Sequence, residues 1–133
     1  MEKGIYSEKL SSGGELKVSS NNWFIEYYFP GPDFRYNGKF FKISGRDIDR
    51  YIAALEKNFE KYLELKAAIP PTGNFETSGE MGMTIFIGDH RNGVCLHNYH
   101  MPISSEEKLK LVISDYKNAK VRAEKIQDML KNL

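Results

Sequence analysis

This chain has little in excess. It holds one cysteine, one tryptophan and five prolines in 133 residues, and its 19 basic and 18 acidic residues leave a net charge of +1. A single cysteine cannot close an internal disulfide, so the fold does not depend on oxidation. That fits a reducing compartment, and a cytoplasmic location is expected. The balanced charge lacks the basic stripe of a general nucleic-acid binder. It equally lacks the acidic excess of a nucleic-acid mimic. No apolar run approaches the roughly eighteen residues that span a bilayer. The opening "MEKGIYSEKLSSGGELKV" lacks the apolar core of a signal peptide. Neither a membrane nor a nucleic-acid partner is therefore expected. No internal repeat or low-complexity tract is visible.

What is present suits one globular domain over residues 1–133. Apolar residues make up 41% of the chain and aromatics 13%, enough for a core without staples. The first 44 residues read as strands and tight turns. "GIYSEKL" is a short extended segment, "SSGG" a turn, and "ELKVSS" alternates with Leu16 and Val18 on one face. After a turn at Asn21-Asn22, "WFIEYYFP" puts Trp23, Ile25, Tyr27 and Phe29 on one face and Phe24, Glu26 and Tyr28 on the other. Asn37-Gly38 signals a further turn.

Ser44 and Asp47 resemble a capping box opening a helix. Its apolar stripe of Ile48, Tyr51, Ile52, Leu55, Phe59, Tyr62 and Leu63 runs to about Ala68, where "IPPTG" stops it. A hairpin is expected over 80–100, with its turn at Asn92-Gly93. In that reading "VCLHNYH" is one return strand. Ser104 and Glu107 then cap a long last helix carrying Leu109, Val112, Tyr116, Ala119, Ala123, Ile126, Leu130 and Leu133 in steps of three and four. At 1.5 Å per residue that helix is about 40 Å long. Packing within the chain is one use for it, and a homodimer seam the other. The fold class expected is α+β: a single, mostly antiparallel sheet with two helices, the C-terminal one long.

The candidates for chemistry are few. His90, His97, His100 and Cys95 fall within eleven residues. On one continuous strand His97 and His100 point to opposite faces, and the spacing matches no zinc framework, so no metal or other cofactor is expected. Cys95 and His97 would lie about 6–7 Å apart along a strand, too far for a thiol–imidazole pair. A cysteine between Val94 and Leu96 reads as interior. Gly79, Gly82 and Gly88 fit no phosphate-binding fingerprint. Glu26, set among aromatics, reads as a paired acid. No enzymatic activity is expected.

The turns are richer. "FPGPDFRYNGK" and "GDHRNG" offer aromatic and charged side chains at exposed tips, so Asp33, Arg35, Tyr36, Asp89, His90 and Arg91 are candidate partner-binding residues.

"NNWFIEYYFPGP", "GEMGMTIFIG", "YHMPI" and "YKNAKVRAEKIQDML" together resemble the small bacterial immunity proteins of polymorphic-toxin and contact-dependent inhibition systems. The resemblance lies in element order and composition. It implies a cytoplasmic, non-enzymatic protein that binds and neutralises one cognate toxin domain. Many immunity proteins that neutralise nucleases are acidic and this chain is not, which sets it apart from that group. The alternative is a small-ligand-binding or enzymatic domain with a pocket between sheet and helices, using Glu26, Tyr28, Cys95 or His97.

Overall fold

The computed structural model describes residues 4–29, 39–89, 91–97 and 100–133, with the backbone alone at 29, 39, 40, 97, 100 and 101. Among the described residues, eight strands and two long helices follow in the order four strands, helix, four strands, helix. The α+β class holds, but the strands form two antiparallel four-stranded sheets rather than one. Each sheet is a meander of sequence neighbours. The first helix and the proline stop separate the two meanders, and no described strand pairs from one to the other.

The chain divides into two compact units: residues 1–48 with 114–133, and residues 49–113. In the first unit, β1 (Ile5–Lys9), β2 (Glu15–Ser19), β3 (Trp23–Phe29) and β4 (Lys39–Ser44) pair in sequence order. The register aligns Leu16 with Ile25 and Ile25 with Ile43, so one apolar row crosses three strands, and all three side chains are buried. This is the alternation read from the sequence, with Trp23, Ile25 and Tyr27 inward and Tyr28 exposed. The segment of α2 (Glu106–Lys131) from Ser114 onward buries Tyr116, Ala119 and Ala123 in this unit. Polar bonds tie that segment to the strands and turns. The backbone N–H of Ser12 donates to Asp115 at 2.6 Å, Arg122 Nε donates to Glu8 at 2.7 Å, and Gln127 Nε2 donates to the Ser19 carbonyl at 3.2 Å.

The second unit holds α1 (Ile48–Ala68) from Asp49 onward, β5 (Phe75–Ser78), β6 (Thr84–Ile87), β7 (Gly93–His97), β8 (His100–Ile103) and the start of α2. Tyr51, Ile52, Leu55, Phe59 and Tyr62 are buried along α1, as the stripe predicts, and each such side chain contributes roughly 2 kcal/mol of transfer free energy. Leu63, placed in the stripe by the sequence, is exposed. The helix ends where Pro70 and Pro71 disfavour helical backbone at the residues before them.

Two expected caps differ in detail. Ser44 makes no side-chain cap bond, and a 3-10 turn, Gly45–Asp47, leads into α1 instead. At α2 the cap is Ser105 rather than Ser104. Its Oγ accepts from the Lys108 N–H at 3.1 Å.

The expected return strand over 94–100 is two strands. β7 and β8 pair antiparallel from Val94 with Ile103 to His97 with His100, so the chain reverses between them. His97 and His100 therefore occupy directly opposed register positions, not opposite faces of one strand. The one turn-forming residue in "LHNYH" is Asn98, with no glycine or proline beside it, which is why pattern alone reads through the reversal.

Candidate functional site

The described part of the expected partner-binding surface lies at the end of the second unit. Asp89 and Arg91 follow β6 and are both exposed. The Arg91 guanidinium lies 5.9 Å from the centroid of the Phe86 ring, within cation–π range. Asn74 organises this end from the preceding loop. Its side-chain oxygen accepts from the Asp89 N–H at 3.4 Å and lies where a Cβ at Gly88 would be, so that close approach requires glycine.

Phe75 opens the edge strand β5 opposite Ile87 and is 39% exposed. Between them, Asn74, Phe75, Glu76, Phe86 and Arg91 line a shallow depression of about 250 Å³. A neighbouring one of about 200 Å³ runs along Lys66, Pro70, Gly73, Gly88 and Asp89. Ile87 borders both. Of the six candidate residues, Asp89 and Arg91 thus fall on one surface. Asp33, Arg35, Tyr36 and His90 lie outside the described residues. The sequence reading missed Asn74 and Phe75. The only signal was a lone Phe in "NFETSGE", which alternation could not assign to strand or loop.

The candidates for chemistry sit elsewhere. Cys95 is fully buried, and desolvation pushes its thiol up to about 11, against a small lowering by Arg91. At neutral pH it is a protonated, enclosed thiol, the opposite of what a nucleophile needs. Glu26 lies on the solvent-facing side of β3 with its carboxylate one-tenth exposed. Lys17 approaches it at 3.3 Å and Lys42 at 3.7 Å, so it is a doubly paired acid. The hydrogen bond and charge of Glu26 in turn raise the Lys17 pKa. Glu26 and Tyr28 both line an open depression of about 500 Å³ on this face of the first unit, whereas Cys95 belongs to the second. Among the described residues no group of three His, Cys, Asp or Glu is arranged to hold a metal ion. None of their helices is long and apolar enough to cross a membrane.

The sequence reading also missed Asn58, an amide on the buried stripe of α1. Its Oδ1 accepts the Glu80 N–H at 2.9 Å, and its Nδ2 donates to the Glu80 carbonyl and to Met83 Sδ, both at 3.1 Å. It clamps a turn in which Met81 takes left-handed backbone (φ 55°). Gly79 packs directly on the amide, at a distance no Cβ would allow. This arrangement is structural, holding the entry to β6.

No protein-family model, curated protein or solved structure matches this chain.

Proposed function

We propose that this chain is a non-enzymatic protein-binding domain and, in its specific form, a cytoplasmic immunity protein that binds and neutralises a cognate toxin domain. The observation that carries the reading is the surface at the end of the second unit. An exposed Arg91 over Phe86, a part-exposed Phe75 and an exposed Asp89 stand together beside two shallow hollows. Arginine and aromatic side chains dominate the energetics of protein interfaces. The hollows, about 250 and 200 Å³, fall below the roughly 300–1,000 Å³ typical of small-molecule sites. They suit side chains from a partner better than an enclosed ligand. The buried, protonated Cys95 and the doubly paired Glu26 are consistent with this reading.

Co-expression with the product of an adjacent gene tests it. The expected result is co-purification and rescue of growth. Arg91→Ala and Phe75→Ala should each weaken binding by about tenfold or more, the effect of truncating an interface anchor. Failure to bind or rescue against every adjacent toxin candidate overturns the immunity reading. A partner bound with unchanged affinity by both variants overturns this surface.

A further inference from the structure

We propose that a second site, in the first unit beside Trp23, binds a small zwitterion of the α-amino-acid type. It is a depression of about 530 Å³ lined by Asn22, Trp23, Ser44, Arg46, Glu124 and Gln127, within the size range of small-molecule sites. Trp23 is 8% exposed, and its indole N–H has no hydrogen-bond partner among the described residues. That N–H is not among the sealed, unpaired polar atoms of the core, and with Trp23 lining the hollow it is a donor open to an acceptor arriving there.

The wall around it is pre-set. Ser19 ties down the neighbouring turn: its Oγ donates to Asn22 Oδ1 at 2.9 Å, leaving the Asn22 amide N–H groups to face other partners. Gln127 spends its Nε2 on the Ser19 carbonyl, leaving its Oε1 as an acceptor. The Ser44 hydroxyl makes no cap bond. The Gly45 backbone lies across the indole so closely that any Cβ would overlap the ring, which fixes the ring in place.

Two opposite charges border the same hollow. Arg46 and Glu124 both line it and are both exposed. The donors are Arg46, the indole N–H and Ser44, and they match a carboxylate. Glu124 and Gln127 Oε1 are acceptors and match an ammonium. A lone anion would leave Glu124 unmatched and a lone cation would leave Arg46 so, whereas a zwitterion satisfies both.

Trp23 is the only tryptophan, so its single indole N–H resonance reads the site directly. Glycine, L-alanine and L-glutamate are titrated into the full chain, with acetate and methylammonium as half-ligands. A saturable shift of that resonance at millimolar or lower amino acid is expected, with neither half-ligand reproducing it at equal concentration. Arg46→Gln and Glu124→Gln are exposed changes, and each should weaken binding at least about tenfold with the melting temperature unchanged. No shift with any of the three amino acids overturns the proposal. So does acetate acting as well as they do, or both variants binding like the parent.

Discussion

Tyr27 and Tyr116 meet inside the first unit with their hydroxyls 2.6 Å apart. Both side chains are buried, so this contact pairs two hydroxyls away from solvent. Tyr27→Phe removes one partner and leaves the Tyr116 hydroxyl with a poorer environment. A loss of about 1–3 kcal/mol in urea unfolding is expected. Burial pushes the Tyr27 phenol up to about 12, with the Asp115 charge adding and the Tyr116 hydrogen bond opposing. The unfolded phenol ionises near 10. Between those values the folded state holds the extra proton, so stability is fully present below about pH 10 and falls as pH rises toward 12, by roughly 2–3 kcal/mol. Tyr27→Phe should flatten that part of the stability–pH curve. Tyr62 is the contrast. Its hydroxyl is buried with no hydrogen-bond partner among the described residues, so Tyr62→Phe should be neutral or stabilising by up to about 1 kcal/mol in the same assay. Cys95 is expected to resist thiol reagents at pH 8 until the chain is unfolded, because its thiol is enclosed and its pKa raised. A native-state reaction as fast as that of free cysteine would contradict this.

At the scale of elements, the Asn58 clamp joins α1 to the turn before β6. Asn58→Ala strands the Glu80 N–H and leaves the Glu80 carbonyl with the Met83 N–H alone, and a cost of about 1–3 kcal/mol is expected. Hydrogen exchange at Glu80 and Met83 should accelerate before the rest of α1 does. The two helices were legible in the sequence because apolar residues recur at helical spacing and proline or a hydroxyl residue marks their ends. The inward row of β2 and β3 was legible from period two. Asn58 was not, since an amide on an apolar stripe has a meaning only once its partner is placed. The β7–β8 reversal was not legible for a different reason. β7 ends at His97, and β8 takes up the antiparallel pairing opposite it from His100, a partner that alternation along one segment does not reveal. Of the candidate surface, the tip at Asp89 and Arg91 was readable as an Asn-Gly turn region. Asn74 and Phe75 reach it only through the β5–β6 register.

At the scale of the whole molecule, one sheet was expected where two exist. Alternation reports which side of a strand is buried, not which strands share a sheet, and two local meanders satisfy the same pattern. The first unit draws its strands from residues 1–48 and its helix from 114–133. A chain ending after Ile113 lacks Tyr116, Ala119 and Ala123 and the bonds from Asp115, Arg122 and Gln127. Amides of β1 to β3 should lose most of their exchange protection in that chain. Protection equal to that of the full chain would show that the helix is dispensable there.

The discontinuous first unit also has a consequence in time. Synthesis at about 5–20 residues per second delivers β1 to β4 early, but their helical cover, residues 114–133, is made only after the whole of segment 49–113. For several seconds Leu16, Ile25 and Ile43 wait on the nascent chain without Tyr116 and its neighbours. The contiguous segment 49–113 is therefore free to order itself first. Slow decoding or a chaperone acting over residues 114–133 would bear on the first four strands, although those were translated earlier.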